Sequence, residues 1–440
     1  MPPAQHRPRM RHTGTMASEV NPPRGMRDFL PVEKARRERV LGVIRAVYAS
    51  HGFDEIETPV MEDSAKLHAG LGGDNEKLGY AILKRGLGVD DLAAATDPLE
   101  LSDLGLRFDL TVPLTRFYAS HRAELPTVFR AIQIAPVWRA ERPQKGRYRQ
   151  FVQCDIDIIG ESGPLAEVEL ITATVATLAA LGLDGCSIRI NDRRLLAATL
   201  SALGFAPDAH NSAVITIDKL DKVGTGGVIA ELREREFDAA AVDALETFFA
   251  RPDASPAAAP LPFGVAAITA ALPTGVDTAL IAELAELGLA VAGDTEIIFE
   301  PFLARGMGYY TGTIFEITHP DSAGSLGGGG RYDGMIGRFL GDDVPAAGFS
   351  IGFERIVDLV SLPTGEIPDA VALIYDAELP PAALLALKTA LIAEGRRVRL
   401  ERRPRNPKPL LAQLAASGYL SVASVTATTT RDSLVFRPIE

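Results

Sequence analysis

Cysteine is nearly missing from this chain: Cys154 and Cys186 are the two in 440 residues. Two thiols make neither a disulfide framework nor a zinc cluster, and the cytosol (a cytoplasmic protein) is the natural compartment for them. No run of about 18 apolar residues occurs, so no membrane span is expected. Positive charge is not in excess either. The 45 Lys and Arg stand against 57 Asp and Glu, a net of -12, which argues against a protein that coats nucleic acid without specificity. Residues 1–15 are polar, basic and proline-containing, and they lack the apolar middle of a secretory signal. Residues 1–20 are expected to be a disordered arm, with Met16 as an alternative start. What is abundant is apolar residues, 47% of the chain, enough for the large cores of two or three domains.

Periodicity divides the chain. Val40, Val43, Ile44, Val47 and Tyr48 repeat at helical spacing within 32–51, and Phe53–Val60 reads as a strand closed by Pro59. A short strand at Leu106–Pro113 runs into a helix over 114–121. Strands are expected at Thr127–Trp138, Arg149–Ile159 and Cys186–Asn191, with a helix at Ala166–Leu181 between the last two. Residues 195–294 are rich in Ala and Leu, helical in pattern and poor in chemistry, so they read as an inserted helical domain. They include an Ala/Pro-rich linker, Arg251–Pro262. Pro363–Pro368 is a second linker. Beyond it, strand, helix, strand, helix and strand alternate through Val425, as in a small α/β domain with a mostly parallel sheet. Its tail is basic. From residue 392 onward nine Lys/Arg face four acids, 9 − 4 = +5, a hint of an RNA-facing module.

The densest chemistry lies between Val137 and Asp157. Arg139, Arg142, Lys145, Arg147 and Arg149 stand among apolar residues, and the segment closes on Gln153, Asp155 and Asp157. A hairpin turning at Pro143–Gly146 would aim guanidinium groups at one site. Their planar forks suit phosphate oxygens, and the carboxylates downstream suit a cationic ligand. Phosphate-binding and amine-binding ends side by side suggest ATP meeting an amino acid. A solvated basic turn is the bland reading of the same segment.

Six stretches, in order along the chain, resemble the histidyl-tRNA synthetases, a class II aminoacyl-tRNA synthetase family. Pro23–Phe29 is similar to the family's N-terminal signature. The helix and strand ending at Pro59 resemble motif 1, the hairpin resembles motif 2, and Gly348–Arg355 resembles motif 3. Arg305–Thr311 and Gly327–Gly334 resemble the two histidine-specific motifs.

The resemblance implies an α+β fold with a class II antiparallel-sheet catalytic domain over 21–194 and 295–362. The helical insertion and a C-terminal anticodon-binding-like α/β domain over 369–440 complete it. It implies a homodimer that activates histidine with ATP and Mg²⁺ and transfers it to tRNA(His). By the family's pattern Arg139, Arg305 and Arg355 are the catalytic cations. Arg139, Glu141, Arg147 and Arg355 would bind ATP. Asp109, Leu110, Thr111, Arg139, Gln153, Asp157, Arg305, Tyr309, Tyr310 and Tyr332 would hold histidine. No protein metal ligand and no catalytic histidine is implied.

Carboxylates and tyrosine hydroxyls can read both imidazole nitrogens, which rejects apolar rings of similar size. The four glycines at 327–330 are followed by no Gly-Lys-Ser/Thr, so they are not a P-loop, and they would let backbone pass close to bound histidine. Two departures stand out. Gly308 occupies a position where the family usually carries an acid, and the short C-terminal domain lacks the usual glycine–acid turn. The alternative reading is a non-catalytic, histidine-sensing regulatory subunit of ATP phosphoribosyltransferase, which shares this core.

Overall fold

The computed structural model describes residues 20–67, 78–144, 146–251, 261–291, 293, 295–304, 309–322, 324–362, 369–376 and 378–439. Arg305, Gly308, Lys145, most of the Arg251–Pro262 linker, the Pro363–Pro368 linker and nearly all of the N-terminal arm lie outside them.

Three sheets organise the described residues. A small one joins β2 (Met61–Asp63), β3 (Tyr80–Leu83) and β4 (Ser102–Leu106). The largest is built from β1 (Asp54–Glu55), β5 (Phe129–Trp138), β6 (Gln150–Ile159), β7 (Ser187–Asp192), β8 (Leu261–Pro262), β9 (Glu296–Phe299), β10 (Thr313–Thr318), β11 (Gly327–Arg331) and β12 (Ala346–Gly352). Its order is β1-β5-β6-β12-β11-β10-β7-β9-β8. The pairs from β5 through β7 are antiparallel, while β1–β5 and β7–β9 are parallel. The sheet is therefore mixed, with the expected antiparallel stretch at its centre.

Strand alternation gives this sheet two different faces. Ile132, Cys154, Ile156, Ile158, Ile188, Ile190, Phe315, Phe349 and Ile351 share one core with helices Pro31–Ser50 and Leu165–Ala180. Each helix buries a single stripe, Val40, Leu41, Ile44 and Tyr48 on the first, and Leu170, Ala173, Thr174, Thr177 and Leu178 on the second. The opposite face carries Ala131, Gln133, Gln153, Asp155, Asp157, Gly348 and Ser350, and the helices Thr111–His121 and Gly334–Leu340 flank it.

The helical region divides by packing. Leu196, Leu200, Phe205, Val228, Leu245 and Phe249 make a separate cluster within 193–249, which Phe302 and Ala304 join. Helices Val265–Ala271 and Thr278–Ala290 instead bury Ile268, Ile281, Leu284 and Leu287 in the core of the large sheet. Two strands differ from the sequence expectation. Over 53–60 regular pairing is limited to Asp54–Glu55, with one more bond from Ile56 N to Ile132 O at 2.9 Å, and Pro59 brings no N–H to extend it. The strand before the helix ends at Leu106, and that helix begins at Thr111, so Arg107–Leu110 form a connecting loop.

The third sheet, in order β14-β13-β15-β16, holds β13 (Ala370–Tyr375), β14 (Arg397–Arg402), β15 (Ser421–Val425) and β16 (Arg437–Pro438). The first three are parallel and are linked by helices Pro381–Ala393 and Lys408–Ala416; β16 adds an antiparallel edge.

Candidate active site

The site grows from the central antiparallel strands. The hairpin pairs Trp138 with Gln150 and Phe129 with Ile159. Its tip closes through reciprocal backbone bonds between Gln144 and Arg147 at 3.1 and 2.9 Å, with Gly146 at φ +75°. That turn needs a left-handed residue, which glycine supplies without strain.

Sheet side chains then catch the Arg107–Leu110 loop by its carbonyls. Gln133 Nε2 donates to Leu110 O at 3.1 Å and Arg139 Nε donates to Phe108 O at 2.8 Å. Arg107 Nε donates to Pro136 O, and its Nη1 donates to Thr58 O. These bonds carry Asp109, Leu110 and Thr111 over the polar face of the sheet. Asp109 is buried, and its Oδ1 accepts from Val112 N at 3.2 Å. Burial raises its carboxyl pKa, opposed by the Val112 N–H, by nearby Arg139 and by the Thr111 N–H.

On β6, Gln153, Asp155 and Asp157 are buried side by side at alternate positions. Tyr332 donates its hydroxyl to Asp157 Oδ1 at 2.6 Å. Burial, with a further contribution from Asp109, pushes the Asp157 carboxyl up to about 7 against the pull of that hydrogen bond. Tyr309 packs against Tyr310 and Tyr332 with ring centroids 4.8 and 6.1 Å away, and its hydroxyl pairs with Thr111. Backbone closeness makes room for this group. A Cβ on Gly348 would stand 2.0 Å from Asp157 Oδ1, and one on Gly330 would stand 2.9 Å from Tyr310 Cδ1. The glycine run is thus an internal strand, and its Gly330 clears space for a site tyrosine.

Toward the hairpin tip the site becomes more open. Arg147 Nη1 lies 3.3 Å from Glu141 Oε2, and both are part-exposed. Arg149 serves the scaffold: its Nε donates to Glu141 O at 3.0 Å, and its N–H donates to Gly25 O at 2.7 Å. Arg139 lies over the Phe151 ring at 5.2 Å. Arg355 donates through Nη1 to Ser325 O. Its neighbour Glu354 is buried, takes a bidentate pair from Arg37 at 2.7 and 2.6 Å, bonds Arg27 and accepts from Val152 N at 3.3 Å. The N-terminal signature and motif 3 meet through that carboxylate.

Asp109, Leu110, Thr111, Arg139, Gln153, Asp157, Tyr309, Tyr310 and Tyr332 are therefore gathered at one end of one face. Glu141 and Arg147 pair with each other at the hairpin tip, and Arg355 closes motif 3 just beyond β12. Arg305 lies outside the described residues. Sequence reasoning missed Gln133, Ser350, Glu354 and Arg37, and it read Asp155 only as one of two carboxylates suited to a cationic ligand. The alternation of Gln133 opposite Asp155 across two strands was the signal available for the first.

Among the described residues, two buried oxygens of this site, Asp109 Oδ2 and Gln153 Oε1, have no protein partner. Buried acceptors of this kind call for a donor. Among the described residues no group of three or more His, Cys, Asp or Glu side chains could hold a metal, and no helix is long and apolar enough to cross a membrane.

The comparisons agree with this geometry. A solved histidyl-tRNA synthetase from Nostoc sp. PCC 7120 superposes with a TM-score of 0.70 at 26% identity, over 92% of each chain. A Bacillus halodurans structure described as an ATP phosphoribosyltransferase regulatory subunit/histidyl-tRNA synthetase reaches 0.72 at 21% identity, over 93% of this chain and 99% of that one. It shows the fold alone. The "Histidine--tRNA ligase" of Leifsonia xyli subsp. xyli is 61% identical over 430 residues, covering 96% of this chain and 99% of its own. The "Probable histidine--tRNA ligase" of Tropheryma whipplei strain Twist is 43% identical over 91% of this chain and 94% of its own. The near full-length match to ligases, C-terminal domain included, disfavours the regulatory-subunit reading. The profile of the family described as Histidyl-tRNA synthetase matches residues 25–356, so the chain belongs to the histidyl-tRNA synthetases, a family of aminoacyl-tRNA synthetases.

Proposed function

We propose that the chain joins histidine to tRNA(His) in two steps at this site. The histidine carboxylate attacks the α-phosphorus of ATP in line, forming histidyl-adenylate and releasing pyrophosphate. The terminal ribose hydroxyl of the tRNA then attacks the adenylate carbonyl. No protein nucleophile is required, so positioning and charge neutralisation supply the acceleration.

The two partnerless buried acceptors carry the reading. Asp109 Oδ2 and Gln153 Oε1 suit the three N–H donors of an α-ammonium, and they lie on the same face as an Asp157–Tyr332 pair that suits an imidazole. Thr111, Tyr309 and Tyr310 close over the ring, beside the backbone of Leu110. Arg139, next to Asp109, is placed to bridge the amino-acid carboxylate and the α-phosphate. Glu141, Arg147 and Arg355 serve the nucleotide, and Mg²⁺ travels on its phosphates. Arg305 joins the catalytic cations on the strength of its motif.

The C-terminal domain offers exposed Arg402, Arg403, Arg405 and Lys408 beyond edge strand β14 as an RNA contact. A homodimer would cover Val60, Met61, Leu83, Leu99 and Leu104, large apolar side chains exposed around the three-stranded sheet. We place the protein in the cytoplasm and take residues 193–250 as the inserted domain.

Histidine-dependent ATP–pyrophosphate exchange tests the reading. Exchange with histidine alone among amino acids, abolished by Arg139→Ala and Arg305→Ala, is the expected result. Clear histidine binding without exchange would overturn it.

A further inference from the structure

Asp155, read from the sequence only as one of two carboxylates suited to a cationic ligand, has no part in the proposed pocket, although it lies between Gln153 and Asp157 on the same face of β6. It is buried, and its two carboxyl oxygens stand 3.4 and 3.1 Å from Gln153 Nε2. Ser350, its cross-strand neighbour on β12, hydrogen-bonds the carboxyl, and Ser350 Oγ is 3.4 Å from the same Nε2. On the other side β5 presents Gln133, whose amide is already used: Nε2 donates to Leu110 O, and Oε1 accepts from Thr58. Among the described residues, Gln153 therefore meets acceptors at its nitrogen end and no donor at its oxygen.

An amide nitrogen only donates and a carboxylate only accepts. With Asp155 in place, Gln153 must turn Nε2 inward and leave Oε1 as the free end. The opposite flip would press the amide oxygen against the carboxylate and present N–H groups to the ligand. An ammonium, which has donors only, binds the first arrangement and is rejected by the second.

Burial and the neighbouring Asp157 carboxylate raise the Asp155 carboxyl well above the usual range. On protonation the orientation is kept when the acidic hydrogen goes to Ser350 Oγ, because the other carboxyl oxygen still accepts from Gln153 Nε2.

We propose that Asp155 is a positioning residue: by holding the Gln153 amide with its oxygen outward, it makes the pocket select ligands that carry an α-ammonium. This rests on the assignment of Gln153 to the ammonium.

The test compares three ligands: L-histidine, L-histidinol, and 3-(imidazol-4-yl)propionate, which lacks the amine. Binding is measured by calorimetry or by competition in pyrophosphate exchange. Asp155→Leu removes the acceptor at similar volume, and Asp155→Ala is run beside it in case leucine prevents folding. Losing a hydrogen bond to a charged group predicts at least about tenfold weaker binding of histidine and histidinol, with less than about threefold change for the propionate. Asp155→Asn keeps one acceptor for Gln153 Nε2 and should stay within about threefold of the native protein on all three ligands.

Equal losses on all three ligands, or no loss, would overturn the proposal. Gln153→Met separates the two layers. If it weakens the amine-bearing ligands selectively while the Asp155 variants do not, Asp155 is discarded and the pocket assignment stands. If it shows no such selectivity, the assignment of Gln153 itself fails.

Discussion

At the amino-acid end, Asp109, Gln153, Asp155, Asp157, Tyr309 and Tyr332 are buried, and most of their polar atoms already have protein partners. At the nucleotide end, Arg147 and Glu141 form a part-exposed pair on a turn, and Arg355 is only half-buried. The contrast follows what each end must do. Telling histidine from other amino acids needs rigid, desolvated groups that are left unpaired by a wrong side chain. Holding a triphosphate needs charge that can be released from weak protein partners and delivered to a larger, more heavily charged ligand. The half-exposed Arg147–Glu141 pair is worth well under about 1 kcal/mol after solvent screening, so it costs little to give up. Glu354 marks the boundary. It is buried and held by Arg37 and Arg27, so the backbone leading into Arg355 is fixed, while the Arg355 guanidinium bonds Ser325 O and stays half-buried.

Substitutions at the two ends should break this comparison unequally. The largest effect is expected for Asp157→Ala, which leaves the Tyr332 hydroxyl and the imidazole N–H without a partner. Its kcat/KM for histidine in pyrophosphate exchange should fall by about 10³-fold, with the KM for ATP moving less than about threefold. A matching shift in both constants would show that the ends are not separate.

Gly348→Ala comes next, because its methyl would stand 2.0 Å from Asp157 Oδ1. Displacing that carboxylate should cost about 10²-fold in kcat/KM for histidine. A melting temperature close to native, measured alongside, would tie the loss to the site and not to unfolding.

The third effect is on pH. Asp157 titrates near 7, above its ordinary 3.8, so its ionised form is lost as pH falls through 7. In the proposed pocket the ionised form is the one that accepts the imidazole N–H. The histidine KM should therefore rise below pH 7, by up to about tenfold per unit, and the limb belongs jointly to Asp155 and Asp157. A flat histidine KM between pH 6 and 8 would contradict this.

The smallest effect is expected at the open end. Glu141→Gln frees Arg147 from its ion pair and removes a carboxylate from the proposed nucleotide end. The KM for ATP should change by less than about fivefold, and histidine binding, read by calorimetry, should not change.

Parts of this molecule were legible before any coordinates. The hairpin strands, the two long helices and the C-terminal alternation all carry strong periodicity, and they fall within a residue or two of their expected positions. The candidate site residues were named through the resemblance, since chemistry confined to a few residue types leaves recognisable strings such as Arg-Phe-Asp-Leu-Thr and Gly-Gly-Gly-Gly-Arg-Tyr-Asp. Less legible was the fate of helices 265–290. Their apolar stripes would fit either a separate bundle or the sheet, and only packing chooses.

By itself the sequence determined the type and order of the elements and the chemical inventory of the site, because periodicity and residue type are local properties. The tertiary structure decided which of those groups meet. It set Ser350 and Gln133 on either side of Asp155 and Gly348 against Asp157. Those contacts depend on strand register, and a register joins residues up to some 200 positions apart, such as Gln153 and Gly352, through hydrogen bonds that no local pattern encodes.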